Sequence, residues 1–521
     1  MRSLPAVMAV STACVLVLAG TTGALAQNAA PASAQAAGQV FVTRHTGTFN
    51  GQKVVYGATV APTVLTDDKG QPTATFYSIA YVRTGVAEPV KRPVLFLFNG
   101  GPGSASVYLH MGAFGPKRVV LPAEVDADIK PPYQLTDNAY TILDVADLVF
   151  IDPVGTGYSR IAPGADPKSF YTAPGDGKSV AQFIQAWCKA NGRDASPRYV
   201  MGESYGTIRA VLVADELARV APLDGIILFG QAVNIVETVQ RAGNIVGYGV
   251  NLPCLTAIAW YHDRIPKTGT TLAQLLEESY AFGTGEYLLA LAKGRDLPAA
   301  ERQRMAARLE RLTGVSANYY LSHNLVISKQ DYRREILRDK GLIVGMYDAR
   351  YTGTAGPAAA APGPPPAAQT PGKPPQAAAP RAPQGPPDPS MRHSEAFATL
   401  VRQHITKNLG VTLTDEYRTQ DRGASGWDYG NGAPASPFTD FDFPEAITRA
   451  MAARPTFRMM VGSGIYDTST TTGAARYLVA RGTFPADRVI QRTYEGGHMA
   501  YTNIAALKAL TDDVRAFVAG K

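Results

Sequence analysis

The stretch "RYVMGESYGTIRAVLVADELARV" constrains the fold of this chain more than any other. Its centre, residues 202–206, fits the pattern G-x-S-x-G, in which a serine stands on a sharp turn between a strand and a helix. A short apolar run precedes Ser204, and a segment with apolar residues at helical spacing follows it. The pattern therefore predicts a strand, a tight turn and a helix in direct succession.

Short apolar runs recur along the chain, as expected for buried strands. They occupy residues 93–98, 147–151, 198–201 and 225–230, and two more follow from Phe457, in "FRMMVGSG" and "RVIQRTYEGGH". An amphipathic segment, residues 179–190, lies between the second and third runs. Strands alternating with helices predict a largely parallel sheet that is covered by helices on both faces.

The interval from about residue 241 to 435 breaks this alternation and is rich in helical patterns, such as "TLAQLLEESYAF". We interpret it as a helical cap inserted into an α/β-hydrolase core made of residues 40–240 and 436–521. Within it, residues 355–390 hold 13 of the 38 prolines. They predict an exposed loop, partly polyproline II, which is either a tolerated insertion or a segment that binds a partner.

The N-terminus resembles an export signal. Arg2 is followed by the apolar run "AVMAVSTACVLVLAG" and by "ALAQ", which predicts a signal peptide over residues 1–26 and a loose tail over residues 27–39. No later segment reaches the eighteen apolar residues that span a bilayer. We therefore expect an exported mature chain, periplasmic or secreted, that has no membrane span.

Charge and cysteine content exclude some classes of protein. The formal net charge is +7, and no cluster of Lys and Arg interleaved with aromatic residues accompanies it, so a nucleic-acid partner is not expected. Cys and His do not occur at metal-ligand spacing, so no metal is expected either. Cys188 and Cys254 remain after signal removal, and the sequence leaves open whether they pair.

Three residues follow the chain order Ser, acid, His that this fold uses for a catalytic triad. Asp467 ends the strand candidate in "VGSGIYD", 31 residues before His498. Among the seven histidines only His498 stands near the C-terminus, after a strand-like run and two glycines. We predict that Ser204, Asp467 and His498 act together.

A serine that attacks an acyl group also needs donors for the oxyanion that develops. One predicted donor is the backbone N–H of Tyr205, the residue after the serine. The other is expected from the glycine loop "FNGGPGSAS", residues 98–106, which follows an apolar strand candidate. An ordinary turn is the alternative interpretation of that loop.

Five blocks, "FNGGPGSAS", "VFIDPVGTGYSR", "GESYG", "GSGIYD" and "GGHM", together resemble the serine carboxypeptidase family of the carboxypeptidase Y type. The resemblance implies an α/β-hydrolase with a cap that cleaves single residues from peptide C-termini without a cofactor. It implies the triad named above, and it assigns the oxyanion donors and the substrate-binding residues as follows: Gly101 and Tyr205 for the oxyanion, and Asn99, Gly100, Glu203 and Met499 for the substrate.

Glu203 is the least expected of these residues, because a negative charge beside the nucleophile should hinder attack on a carbonyl. A desolvated carboxyl near another carboxylate has a raised pKa. Protonated, Glu203 becomes a donor that shares its proton with the C-terminal carboxylate of the substrate. This hypothesis predicts acid-shifted peptide hydrolysis; the alternative is a structural glutamate bonded to the backbone at the turn.

The chain also departs from the family pattern. Leu97 stands at a tryptophan position, Ile465 replaces an aspartate, and Ala113 replaces a second carboxylate-binding glutamate. The loss of that glutamate moves the expected pH optimum toward neutral and leaves amides or esters open as substrates. Two rival hypotheses remain: an acyltransferase or esterase on the same scaffold, and an inactive envelope protein that binds a partner through its proline-rich loop.

Overall fold

The computed structural model describes residues 38–241, 243–355, 387–421, 426–429 and 442–520. The predictions for the signal peptide, for nearly all of the tail and for residues 356–386 of the proline-rich loop lie outside the described residues. From Gly38 onward the described residues belong to one compact unit.

Fourteen strands occur among the described residues, and the apolar runs seen in the sequence form six of them. Their bounds are β1 Phe41–Phe49, β2 Gln52–Thr66, β3 Pro72–Arg83, β4 Val94–Phe98, β5 Lys117–Val119, β6 Leu135–Asp137, β7 Asp147–Asp152, β8 Arg160–Ile161, β9 Arg198–Glu203, β10 Gly225–Phe229, β11 Leu342–Val344, β12 Thr352–Thr354, β13 Arg458–Gly464 and β14 Val489–Tyr494.

Ten of these strands form one sheet in the order β1-β2-β3-β7-β4-β9-β10-β13-β14, with β8 paired to β3. From β7 to β14 every neighbouring pair is parallel, whereas β1, β2, β3 and β7 pair antiparallel. Parallel strands place their carboxyl ends at one edge of the sheet, so the residues that follow β4, β9, β13 and β14 come together there.

Helices cover both faces of the sheet. Their bounds are α1 Ala173–Ala190, α2 Tyr205–Leu217, α3 Ile235–Thr238, α4 Val246–Val250, α5 Leu252–Tyr261, α6 Leu272–Thr284, α7 Glu286–Lys293, α8 Ala299–Thr313, α9 Ala317–Ser322, α10 Lys329–Glu335, α11 Ser394–Gln403, α12 Phe443–Ala453, α13 Thr472–Arg481 and α14 Ile504–Val518. Leu109–Phe114 and His404–Asn408 are π-helical, and the 3₁₀ turns are Pro89–Lys91, Pro167–Ser169, Gly294–Asp296, Arg338–Lys340, Pro389–Met391, Ala486–Arg488 and Ala500–Thr502.

Successive residues of each strand point to opposite faces, which divides the core in two. In β4, for example, Phe96 packs with α1, α2 and α12, whereas Leu95 and Leu97 pack with α11 and α14. With the parallel order of the sheet, these two covered faces confirm the predicted α/β-hydrolase fold.

A third apolar cluster is formed mainly by residues between β10 and β11, where α6 and α8 both pack on α5. This region corresponds to the first part of the predicted cap. Helix α11, which was also assigned to the cap, packs through Phe397 and Leu400 into the sheet's own core. The cap bounds, residues 241–435, stay a prediction.

Cys188 on α1 and Cys254 on α5 are both buried free thiols, so the pairing that the sequence left open is not present. Within the described ranges, no helix is long and apolar enough to cross a bilayer. In the same ranges, no group of three or more His, Cys, Asp or Glu side chains could hold a metal ion.

Candidate active site

Ser204 stands on a strained turn between β9 and α2. Its φ of 60° and ψ of −130° lie in a region that side-chain-bearing residues rarely adopt. The turn is closed by its glycines, because a Cβ on Gly202 would lie 2.0 Å from the carbonyl oxygen of Gly206. The backbone N–H of Ser204 donates to the carbonyl oxygen of Phe229 at 3.0 Å, which links the turn to β10. The geometry is that of the nucleophile elbow which the motif predicts.

The other two predicted triad members meet at the same edge of the sheet. Asp467 follows β13 and His498 follows β14, and His498 Nδ1 lies 2.6 Å from Asp467 Oδ2. Both side chains are buried. Ser469 and Thr470 supply further donors to the carboxylate, from Ser469 N at 2.7 Å, Ser469 Oγ at 2.6 Å, Thr470 N at 3.2 Å and Thr470 Oγ1 at 2.6 Å.

This environment keeps Asp467 ionised and makes His498 more basic. Burial raises the pKa of Asp467, but the His498 charge and the donated hydrogen bonds outweigh it, so its pKa is lowered. Burial lowers the pKa of His498, and the charge and hydrogen bond of Asp467 outweigh that effect, so its pKa is raised. A carboxylate that holds Nδ1–H leaves Nε2 free to accept a proton.

Ser204 and His498 line one cavity of about 290 Å³. The remaining lining residues come from the glycine loop and the tyrosine shortly after it, from the end of β9, from the segments around residues 347, 391 and 420, and from the position after His498: Asn99, Gly100, Gly101, Pro102, Gly103, Ser104, Tyr108, Glu203, Tyr347, Met391, Gln420, Asp421 and Met499. The cavity thus contains every predicted site residue except Asp467, which lies behind His498, and Tyr205, whose backbone N–H follows Ser204 directly.

The glycine loop after β4 is pressed against the elbow. A Cβ on Gly100 would lie 2.6 Å from both Glu203 O and Tyr205 N, so only glycine permits this approach. Gly101 has a φ of +108°, which also requires glycine. Because the first N–H groups of α2 have no intrahelical acceptor, the N-terminus of that helix favours negative charge at this point. The loop and the helix terminus together suit an oxyanion.

Asn99, Glu203 and Tyr501 form a polar group beside the serine. Asn99 Oδ1 accepts the backbone N–H groups of Tyr108 and Leu109, both at 3.1 Å, which makes its amide nitrogen the donor to other partners. The Asn99 side chain hydrogen-bonds to Glu203 and to Tyr501. The phenol of Tyr501 donates to Glu203 Oε2 at 2.6 Å.

Burial raises the pKa of Glu203 from its ordinary 4.5 to about 7. The Asp467 carboxylate adds to this shift, while the charge of His498 and the hydrogen bonds from Tyr501 and Asn99 reduce it. The carboxyl beside the nucleophile is therefore about half protonated at neutral pH. This is the electrostatic state that the sequence hypothesis requires.

Sequence reasoning missed several residues that shape the site. Tyr501 lies three positions after His498, but no motif marks its side chain as a partner of Glu203. Ala113, at the position where the family resemblance implies a second glutamate, is buried in the π-helical segment. A hydrogen-bond partner of Glu203 is the phenol of Tyr501. Tyr108 and Tyr347 line the cavity from segments that carry no catalytic pattern.

A segment before β12 is hydrogen-bonded to the two loops that carry Asp467 and His498. His498 N donates to Tyr347 O at 2.5 Å, and Gly497 N donates to Asp348 Oδ2 at 3.1 Å. Thr468 bonds to Met346 O through its N–H at 3.1 Å and its hydroxyl at 2.7 Å. Residues 346–348 therefore bridge the acid loop and the histidine loop.

Comparison with known proteins agrees with the motifs. Residues 65–219 match the family model described as serine carboxypeptidase. The resemblance to this family is confirmed. The matched segment contains the glycine loop, Ser204 and α2, and it ends before Asp467 and His498.

Curated relatives match over a similar part. Serine carboxypeptidase-like 20 from Arabidopsis thaliana is 28% identical over 170 residues, which cover 32% of this chain and 30% of that protein. Serine carboxypeptidase 1 from Hordeum vulgare is 25% identical over 189 residues, covering 36% and 34%. The matched part spans about a third of the length of these relatives.

Among solved structures, a prohormone-processing carboxypeptidase from Saccharomyces cerevisiae, Kex1(Δ)p, aligns with a TM-score of 0.46 and 13% identity, covering 88% of this chain and 90% of that one. A thermostable carboxyl esterase from Bacillus coagulans aligns with a TM-score of 0.35 and 12% identity, covering 88% and 98%.

Proposed function

We propose that this protein is a serine carboxypeptidase that releases single residues from peptides with a free C-terminus. The observation that carries the proposal is a protonatable carboxyl, Glu203, at the wall of the cavity that also holds Ser204 and His498. A protonated carboxyl at this place can donate a hydrogen bond to the free carboxylate at the end of a peptide, which an internal amide does not offer.

The polarity of the cavity supports recognition of a carboxylate by neutral donors. None of the described residues that line the cavity is Lys or Arg. The neutral donors nearest Ser204 in sequence or in the loop against it include the Asn99 amide, the N–H groups of the glycine loop and the Glu203 carboxyl when protonated. A carboxylic O–H that donates to a carboxylate forms a short, charge-assisted hydrogen bond, which can replace an ion pair in a buried site.

The proposed reaction has two acyl-transfer steps. His498 Nε2 accepts the proton of Ser204 Oγ as that oxygen attacks the C-terminal peptide carbonyl, and Gly101 and Tyr205 N–H groups stabilise the oxyanion. His498 then gives the proton to the leaving amine, and the terminal residue departs. Water, deprotonated by His498, attacks the acyl-enzyme on Ser204, and the shortened peptide is released.

Two titrations set the expected pH profile. His498 must be neutral to act as a base, which produces an acid limb, and Glu203 must be protonated to bind a carboxylate, which produces an alkaline limb near pH 7. Peptide amides lack the terminal carboxylate, so their kcat/KM is expected to keep the acid limb and to lack the alkaline one.

The test is kcat/KM against pH for a blocked dipeptide and its C-terminal amide, in the wild type and in Glu203→Gln. An amide N–H is a weaker donor to a carboxylate than a carboxylic O–H, so we expect a loss of roughly tenfold for the free acid at pH 5 to 6 and a smaller loss for the amide. The alkaline limb should also vanish. Equal effects on both substrates would refute carboxylate binding by Glu203.

Two variants serve as controls. Glu495→Gln removes an exposed carboxyl on the same loop as His498 but outside the cavity lining, and it should leave both profiles unchanged. Ser204→Ala should abolish hydrolysis and labelling by a fluorophosphonate probe, which separates an enzyme from an inactive binding protein. Product analysis with an added alcohol distinguishes hydrolysis from acyl transfer to that alcohol.

Export is a separate proposal that depends on the N-terminal signal alone. Cleavage after Ala26 is the expected processing event. N-terminal sequencing of protein recovered from outside the cytoplasm tests it.

A further inference from the structure

Tyr501 makes a long-range contact that no motif of the chain accounts for. It lies in the 3₁₀ turn Ala500–Thr502, directly after the histidine loop, and its side chain is buried. Its phenol donates to Glu203 Oε2 at 2.6 Å, across 298 positions of sequence. A buried phenol bonded to the carboxyl beside the nucleophile is an addition to the machinery described above.

The Tyr501 ring is held by its surroundings, so the hydroxyl has little freedom to turn away. The ring packs on Phe229 of β10, with 6.0 Å between centroids. On another side it meets the π-helical segment, because a Cβ on Gly112 would lie only 2.8 Å from the ring. The Asn99 side chain also hydrogen-bonds to the phenol.

Several titratable groups face Glu203 from neighbouring elements. His498 after β14 and Asp467 after β13 act on its charge in opposite directions, and Tyr108 faces it from the start of the π-helical segment. Tyr501 differs from all three because it donates a hydrogen bond directly to one carboxyl oxygen. A phenol donor stabilises the carboxylate more than the neutral acid.

We propose that Tyr501 is a positioning residue for recognition of the substrate's free end. Its phenol engages Oε2 of Glu203, so the acidic proton is carried on Oε1, toward the substrate carboxylate. The same contact sets the pH at which that proton is lost. The inference rests on the proposed carboxypeptidase function, to which it adds Tyr501 as the donor that positions the Glu203 carboxyl.

The experiment compares Tyr501→Phe with the wild type in kcat/KM from pH 5 to 9, using the blocked dipeptide and its amide. Without the phenol the carboxylate loses a donor, so the alkaline limb of the free acid should move up by about one to two pH units. The amide profile should change less than twofold at every pH. An alkaline limb that stays in place, or one that moves for both substrates, overturns the proposal.

Tyr494→Phe is the matched control. Tyr494 is also buried, its ring also lies 6.0 Å from Phe229, and its phenol also donates to a carboxylate, Asp513 Oδ2, at 2.9 Å. Because that pair lies outside the cavity lining, loss of the phenol should leave the free-acid limb unmoved. A shift equal to that of Tyr501→Phe would mean that removal of any buried phenol here perturbs the site, and would overturn the specific role.

Two further measurements keep the test decisive. Active enzyme is counted by fluorophosphonate titration, so a partly unfolded variant does not imitate a kinetic loss. In a Glu203→Gln background, Tyr501→Phe should change the pH profile no further, because the group through which it acts no longer titrates; a further shift contradicts the proposal. If wild-type enzyme cleaves free acid and amide with the same pH profile, the proposed function itself fails, whatever Tyr501 does.

Discussion

The replacement Asp467→Asn should inactivate the protein by selecting the wrong tautomer of His498. Three donors converge on Asp467 Oδ1: Ser469 N, Ser469 Oγ and Thr470 N. Two of them are backbone N–H groups, whose direction is fixed by the main chain and which can only donate. Among the described residues, Oδ2 is hydrogen-bonded by Thr470 Oγ1, a rotatable hydroxyl, and by His498 Nδ1 alone. The amide nitrogen of an asparagine must therefore replace Oδ2 and point at the imidazole.

An amide N–H that points at Nδ1 requires Nδ1 to be the acceptor, so the ring proton moves to Nε2. That nitrogen then cannot take the proton of Ser204, and in the Ser-His-Asp template the corresponding change lowers kcat about 10⁴-fold. The His498 pKa, which the Asp467 charge raises, should fall as well. We expect kcat to fall by roughly 10³ to 10⁴ at pH 7 with a much smaller change in KM.

The assay is single-turnover and steady-state hydrolysis of the blocked dipeptide, normalised to folded protein. Asp147→Asn is the control, because Asp147 is also buried and accepts hydrogen bonds from Arg83, Arg92 and Arg193 at the opposite edge of the sheet. It should lower Tm while kcat stays within about threefold. An Asp467→Asn variant that kept more than a tenth of kcat would refute the tautomer argument.

Two further predictions concern the glycine loop and Glu203. Gly100→Ala should lower kcat by about 10²-fold, because a Cβ 2.6 Å from Tyr205 N displaces the proposed oxyanion donors, whereas Gly57→Ala, with nothing within 4 Å, should be neutral in the same assay. For Glu203, the folded-state pKa of about 7 lies above its ordinary 4.5, so the unfolded chain ionises first and stability falls as pH rises between these values. At pH 8 this difference in pKa lowers the free energy of unfolding by about 3 kcal/mol. Glu203→Gln should therefore raise Tm by about 3 °C at pH 8 and have little effect on Tm at pH 4, measured by calorimetry. A Tm difference that is independent of pH would contradict the assignment of this pKa.

Much of the fold was accessible from sequence because its signals are local. The apolar runs that became β4, β7, β9, β10, β13 and β14 are short and bounded by turn residues, and the predicted helix over residues 179–190 is the C-terminal part of α1. The antiparallel strands β1 and β2 were not resolved as separate elements. β1 alternates exposed with half-buried residues and β2 alternates buried with more exposed ones, so neither strand contains a continuous run of buried apolar residues.

The candidate site shows the same difference between local features, which the sequence reveals, and long-range contacts, which it does not. The amino-acid sequence was sufficient for the elbow, the glycine loop and the order of Ser204, Asp467 and His498, since each depends on neighbouring residues and on where parallel strands end. Only the tertiary structure shows that Tyr501 lies beside Glu203, that residues 346–348 bridge the loops that carry Asp467 and His498, and that Cys188 and Cys254 do not pair. Those contacts join positions far apart in the chain, and a hydrogen bond between distant residues leaves no periodicity or spacing from which it could be read.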